Sequence, residues 1–301
     1  MSTQPRTLTG PQPCGEAPQR GCLACGRRDG ALVVERLIEC SVMRCASCGL
    51  QYAAPVPAAS PLFVDFSESG AALISRLSEG ERVGPLLTPN ERMALRWLRR
   101  RLPGGAQVLE LCCESGRFLA ALREGGLRPF GMDPLESHVA VLKRGGFAVA
   151  QGDERDCPED WPSPAAVVLL ESLVRLPDPV GVLKGIRERF PQAPLLVSVP
   201  SPRRSLKVPE FDRRLDYPPH HLTRWTPRAL TAAMAAAGYR CSPRMTHVDL
   251  KCWKGPARRR VVRLLLAVFL RLVGESEYSI VALGRPDEGA CPGAAEGRCG
   301  S

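Results

Sequence analysis

Apolar residues through the middle of the chain change period repeatedly, from short continuous runs to helical spacing and back. Val108 to Leu111 is a run fit for a buried parallel strand; Phe118, Leu119 and Leu122 then recur at helical spacing, and Phe130 to Met132 lead into Asp133. The segment VLELCCESGRFLAALREGGLRPFGMD at 108–133 therefore reads as strand, tight turn, helix, strand. Continued along the chain, the pattern predicts strand 107–111, helix 116–125, strand 128–132, helix 135–145, strand 147–151, strand 165–170, helix 179–190, strand 194–199, helix 227–237, strand 239–249, helix 257–273 and strand 277–284. Such alternation builds an α/β fold: a doubly wound, mostly parallel sheet with helices on both faces, here with a strand pair at its end.

Punctuating residues divide the rest. Thr88-Pro89-Asn90-Glu91 has the form of a capping box with proline at the first helical position, opening an amphipathic helix that runs to about Arg101 and is stopped by Pro103-Gly104-Gly105. Thr226-Pro227 repeats that start, and Gly238 ends the helix it opens. APVPAASPL at 54–62 has the composition of a linker. The expected organisation is a disordered tail at 1–20, a small cysteine-rich module at 21–54, the α/β domain at 63–285 and a second disordered tail at 286–301.

The unit at 108–133 points to a nucleotide-like cofactor. Glu110 and Ser115-Gly116 occupy a turn where backbone N–H groups and a helix N-terminus meet a ligand, and an acid closing the second strand can accept from both hydroxyls of a ribose.

Composition narrows the setting. Lys and Arg exceed Asp and Glu by 41 − 31 = 10, which suits an anionic partner or reflects an Arg-rich bias in an Ala/Gly/Pro-rich chain. The opening residues carry no apolar stretch of a secretory signal, and the longest apolar block, 261–273, is interrupted by Arg263 and Arg271 and falls short of the roughly 20 residues that span a bilayer. The expectation is a cytoplasmic chain without a transmembrane segment.

Cys22-x2-Cys25 and Cys45-x2-Cys48 are each followed by glycine, Gly26 and Gly49, which permits the tight knuckle turn whose N–H groups point at sulfur. Zn²⁺ takes four thiolates in a tetrahedron, each CxxC supplies two vertices, and strands at 31–37 and 41–44 bring the pairs together as a hairpin. Disulfides or a redox CxxC are the rival use. A module so small would draw its folding energy from the metal. Clamping to its own α/β domain, closing over a substrate and binding nucleic acid all remain open uses, although Arg27, Arg28, Arg36 and Arg44 form no base-stacking stripe and Tyr52 is the one aromatic nearby.

In order, the motifs CLACG, RCASCGLQYAAP, VLELCCESGRFL, FGMDP, QGD, ESLVRLPDP, LLVSVPS and PHHLTRWTPRALTAAMAAAGY resemble the class I S-adenosylmethionine-dependent methyltransferases, the zinc-ribbon-bearing group of the type 11/12/23-like kind. The resemblance covers most of 20–285 and implies a Rossmann-like sheet of seven strands, S-adenosylmethionine as cofactor and Zn²⁺ on Cys22, Cys25, Cys45 and Cys48. It also implies roles. Glu110 matches the first-motif acid near the methionine part of the cofactor, Gly116 the last glycine of the family's GxGxG loop, Asp133 the ribose ligand, Gly152-Asp153 the adenine-side acid, and Glu171, with Ser172, the strand end facing the transferred methyl. Plainer roles compete: a turn residue before Pro134 for Asp133, a helix N-cap for Asp153. The chain departs from the family where glycine is expected, with Cys112 and Glu114 in the loop, and Arg175 replaces the histidine of its EHLPDP. Glu114 would crowd the cofactor, turn outward, or pair with the methionine ammonium.

Methyl transfer from a sulfonium needs alignment and a dry pocket, and a base only for acceptors that lose a proton. His220 and His221 are the candidate catalytic pair, with packing and capping as the competing use, and Tyr217 stands second. Arg203, Arg204, Lys207, Arg213 and Arg214 surround them, as an anion cradle or a solvated loop. Cys112 and Cys113 lack an adjacent base and read as structural rather than nucleophilic. The expected partner is a small-molecule acceptor, methylated at O or C. An RNA acceptor, or a non-catalytic scaffold whose pocket Cys112 and Glu114 have spoiled, are the alternatives.

Overall fold

The computed structural model describes residues 21–28, 31–36, 40–56, 65–204, 216–247 and 277–288. The front of the chain forms three antiparallel strands, β1 (Ala31–Arg36), β2 (Ser41–Cys45) and β3 (Gln51–Ala54). The first two are the expected hairpin; the third follows the second knuckle. Most of the expected linker, all of the first tail, the second tail beyond residue 288, the helix expected at 257–273, and Lys207, Arg213 and Arg214 lie outside the described residues.

Two helices precede the main sheet, α1 (Ser67–Ser78) and α2 (Pro89–Arg101). The second begins as its residues dictate: the Thr88 N–H donates to Glu91 Oε2 at 2.7 Å, a cap of a kind worth about 1 kcal/mol. From there the elements alternate: β4 (Gln107–Leu111), α3 (Arg117–Glu124), β5 (Arg128–Asp133), α4 (Glu136–Arg144), β6 (Ala148–Gln151), β7 (Ala166–Leu170), α5 (Pro179–Arg189) and β8 (Leu195–Pro200). After β8 come a two-residue strand β9 (Thr223–Arg224), α6 (Pro227–Ala236), β10 (Tyr239–Arg240), β11 (Arg244–His247) and β12 (Glu277–Pro286).

The main sheet runs β6-β5-β4-β7-β8-β12, parallel as far as β8, with β12 antiparallel to it. The strand expected over 239–249 is two pieces, β10 and β11, both paired to β12, so the sheet has eight strands where seven were expected. Pro243 lies in the break, and proline has no N–H to give a ladder.

The central strands are buried on both faces, which explains their continuous apolar runs. Leu109, Leu111, Val167, Leu169 and Val197 pack with Leu183 and Ile186 of α5, Leu230 of α6, and Leu50, Tyr52 and knuckle cysteines of the front module. Val108, Val168, Leu170 and Leu196 pack with Leu73, Leu98, Phe118, Leu119 and Leu142 on the other side. Strand order reverses between β4 and β7, and in open α/β sheets the crevice at the carboxyl ends of such a pair is where ligands bind.

Candidate active site

The loop after β4 retains left-handed backbone turns without the glycines that make them easy. Cys112 and Glu114 have φ of 56° and 48°, Glu171 at the end of β7 has 56°, and Gly116 has 73°. A left-handed non-glycine residue costs about 1–3 kcal/mol, so three of them converge on one cleft against strain. Gly116 is needed for a second reason: a Cβ there would run into the Leu142 side chain.

A cavity of about 250 Å³ opens beside this loop. Its lining includes Glu110, Cys112, Glu114 and Arg117 from the β4–α3 turn, Glu171 and Arg175 after β7, and Arg204, His220 and His221 from the segment after β8. Among the lining residues, Asn90 Oδ1, Glu110 Oε2, Arg175 Nε and His220 Nδ1 are buried polar atoms with no partner. Such atoms are rare in folded chains and point to a polar ligand.

Two networks shape the walls. Glu171 Oε1 accepts from Ser198 Oγ at 2.9 Å and Asn90 Nδ2 at 3.2 Å, and Oε2 accepts from Arg204 Nη1 at 3.1 Å. Arg204 continues to Asp216 Oδ1 at 3.1 Å, which lies 3.2 Å from His221 Nδ1. Across the cavity Arg117 Nε donates to Glu91 Oε1 at 2.9 Å, and Arg175 pairs with Glu114. The two departures at Glu114 and Arg175 are therefore each other's partner.

Burial sets the protonation of these groups. Glu110 is pushed well above the usual carboxylate range by burial, then by Glu91 and Glu114. Burial also raises Glu171, against Arg204, and Glu114, against Arg175. His221 is lowered by burial, with Asp216 opposing. At Asp216 burial acts upward, but His221 and Arg204 outweigh it and hold the carboxyl low. The Cys112 thiol is pushed up to about 12 by burial, and burial raises Cys113 too, so both are neutral thiols.

The structure gathers Glu110, Cys112, Glu114, Glu171, His220 and His221 around the cavity; Gly116 starts α3 behind it. It does not bring Asp133, Gly152 or Asp153 into the lining. Asp133 is only 2% exposed and its carboxylate is engaged: Oδ2 accepts from Glu114 N at 2.8 Å, and Oδ1 from Leu135 N at 3.0 Å and His138 Nδ1 at 2.9 Å. The Phe66 N–H donates to His138 Nε2 at 2.7 Å, so the ring proton is on Nδ1. Asp153 receives Arg155 N at 2.9 Å and pairs with its guanidinium; the feature is a turn rather than a helix cap. Of the basic cluster, Arg204 is half-buried between two acids and Arg203 is exposed, 3.6 Å from Glu277. Asn90, Asp216, Phe66 and Tyr278 are site neighbours that the sequence does not single out; only Asn90 lies in a motif, as part of the capping box.

At the front, the four cysteine sulfurs lie within 4.8 Å of one another, with Cys22–Cys48 at 3.5 Å and Cys25–Cys45 at 3.7 Å. Four thiolates at a Zn–S distance of about 2.3 Å stand about 3.8 Å apart in a tetrahedron, so the donor set fits zinc, and these cysteines are all free of disulfides. Burial pushes Cys22 up to about 11. At Cys45 burial also acts upward, but the N–H groups of Cys48 and Ser47 and two thiols bring it down to about 7.

These features define a Rossmann-like methyltransferase domain. The chain belongs to the family described as "Methyltransferase domain", whose profile matches residues 86–242. No curated protein matches the chain. Among solved structures it is similar to a chain of a complex between the Haloferax volcanii Trm112 methyltransferase activator and a methyltransferase (18% identity, 75% of this chain and 100% of that one, TM-score 0.49). It is also similar to a SAM-dependent methyltransferase of Archaeoglobus fulgidus (17% identity, 64% and 94% covered, TM-score 0.44). A third is magnesium protoporphyrin IX methyltransferase of Synechocystis with bound SAH (11% identity, 75% and 90% covered, TM-score 0.44). Among the described residues no helix is long and apolar enough to cross a membrane.

Proposed function

We propose that the chain is an S-adenosylmethionine-dependent methyltransferase that transfers a methyl group to oxygen or carbon of a small-molecule acceptor, with a structural Zn²⁺ on Cys22, Cys25, Cys45 and Cys48. The observation that carries this reading is the cavity at the β4/β7 crevice, whose unpartnered Glu110, Asn90 and His220 atoms await a polar ligand. When bound, the cofactor supplies a methyl group on a sulfonium. Glu110 is the residue that would lie at its methionine end, as a hydrogen-bonding carboxyl, and Glu171 at the strand end beside its methyl group. Leu170, Pro200 and Phe66 keep water from the reacting centre. His221, half-buried at the cavity wall, with its neutral form favoured and next to Asp216, is the base for an acceptor that must lose a proton. The cavity, about 250 Å³, is under the roughly 300–1,000 Å³ of small-molecule sites. The Glu114–Arg175 pair lies on the cavity wall, and its parting would widen the cleft for cofactor and acceptor together.

One observation favours a second reading. Glu114 and Arg175 neutralise each other across the cleft and Asp133 is already engaged, as befits a methyltransferase fold kept as a non-catalytic scaffold. Titration calorimetry with S-adenosylmethionine separates the two. Micromolar affinity supports the enzyme; no heat at millimolar ligand, together with binding gained in Glu114→Gly/Arg175→His, supports the scaffold.

A further inference from the structure

The front module does not sit beside the α/β domain as an appendage. Its sheet has four strands, β1-β2-β3-β9, and the fourth comes from the segment that follows His220 and His221. Tyr52 pairs with Thr223 and Gln51 with Arg224 in antiparallel register. The Ala53 N–H donates to the Leu222 carbonyl at 2.9 Å, while the Leu222 N–H donates to the Val174 carbonyl on the other side at 2.8 Å. Leu222, next to His221, is thus held between the module and the 3-10 turn Leu173–Arg175 that carries Arg175.

Three further contacts tie the same stretch to the knuckle. Thr226 Oγ1 donates to the carbonyl of Cys48, a metal-ligand residue, at 2.7 Å, and the same oxygen accepts from Ala229 N at 3.1 Å, capping α6. Arg224 donates to Gln51 Oε1 at 2.9 Å and to the Tyr217 hydroxyl at 2.8 Å, and lies over the Tyr217 ring at 4.5 Å. Trp225, fully buried, shares one core with Cys22, Cys45, Cys48, Leu50 and Tyr52. A strand of two residues has too few bonds of its own to fix its place; β9 is held on one side by the Val174 carbonyl and on the other by the module, and the module side depends on four sulfurs brought within 4.8 Å.

We infer that the four-cysteine metal site is a positioning device for the acceptor side of the cavity: its metal holds β3 and the Cys48 carbonyl where they anchor residues 222–226, and through them His220 and His221. The inference rests on the zinc assignment above and does not depend on which acceptor is methylated. Metal occupancy then controls the shape of the cavity wall from outside the cavity.

The test uses the full chain, zinc-loaded and after zinc is stripped with a thiol-reactive mercurial and chelator followed by thiol reduction, with hydrogen exchange followed by peptide and the histidine ring signals followed by NMR. Stripping is expected to speed exchange at least tenfold both in 41–54 and in 216–226, while 107–133 is unchanged. The ring signals of His220 and His221 shift or broaden and that of His138, on α4, does not. Thr226→Asp, which keeps a capping oxygen but cannot donate to the Cys48 carbonyl, is expected to reproduce the change in 216–226 partly with zinc bound; it covers the case in which the zinc-stripped chain fails to fold. Unchanged protection of 216–226 when 41–54 has opened overturns the inference alone. A chain that takes up no zinc overturns the metal assignment and the inference together.

Discussion

The Glu114–Arg175 pair gives the sharpest quantitative expectation. Glu114 is held at φ 48°, a conformation costing about 1–3 kcal/mol for a residue with a Cβ, and its carboxylate pairs with an Arg175 side chain only 12% exposed. Glu114→Gly relieves the backbone but strands the guanidinium; breaking a fully buried pair from one side costs about 3–5 kcal/mol, and this partly buried one sits at or below the lower end of that range. The net expectation is a loss of about 1–2 kcal/mol. Arg175→His keeps the backbone strain and leaves the Glu114 carboxylate, which burial already raises, to protonate, so about 1–2 kcal/mol is lost. The double variant retains the relief and leaves no unpaired ion, so its stability should lie within about 1 kcal/mol of the parent, a coupling of about 2–4 kcal/mol. Urea unfolding of the four proteins in one buffer measures this cycle. Additive losses, with coupling under about 0.5 kcal/mol, would refute the argument that the two departures compensate each other.

Other expectations can be checked independently. Glu110 is protonated in the fold but ionises in the unfolded chain once pH passes its ordinary range, so the unfolded state binds fewer protons and stability falls as pH rises from about 4.5 toward the raised value; Glu110→Gln should flatten that slope in urea titrations between about pH 4 and 8. His221 has the opposite sign: its neutral form is favoured in the fold, so acidification below about 6.5 costs stability until its lowered folded value is passed, and His221→Gln should remove that loss. Plasma emission should find one zinc per chain, lost on Cys22→Ser together with the fold of the front module, which circular dichroism and hydrogen exchange would report. If calorimetry finds binding, Asp133→Ala should weaken it by at least about tenfold, or about 1.4 kcal/mol, and an affinity equal to the parent's would remove Asp133 from the cofactor site.

What residues alone reveal here is local. The alternation over 107–200 appears at nearly the expected bounds because a parallel sheet buried on both faces writes itself as apolar runs, and the capping box at Thr88 marks α2 by its own chemistry. Helix α1 leaves little trace in the sequence because Phe66 precedes it without a capping side chain and only Gly70 and Leu73 are buried. The division of 239–249 into two pieces follows from Pro243, a signal that the apolar pattern around it masks. The site shows the same division. The spacing of the four cysteines and the glycine-poor loop can be read along the chain, whereas Glu114 meets Arg175 across 61 positions and Arg204 meets Glu171 across 33. The strand-end place of Asp133 suggests a ribose ligand, whereas the three donors to its carboxylate come together only in the fold.

The fourth strand of the front sheet also bears on synthesis. Gln51 leaves the ribosome 173 residues before Arg224, the residue it will pair with. At about 5–20 residues per second, that is roughly 9–35 s. During the interval the edge of β3 has no neighbour, and a bare edge invites pairing with other nascent chains. Early metal capture would tidy the knuckle but leave that edge open. The risky moment in the life of this chain therefore falls before β9 emerges, and slowing translation between residues 56 and 222 should raise aggregation more than slowing it past residue 226.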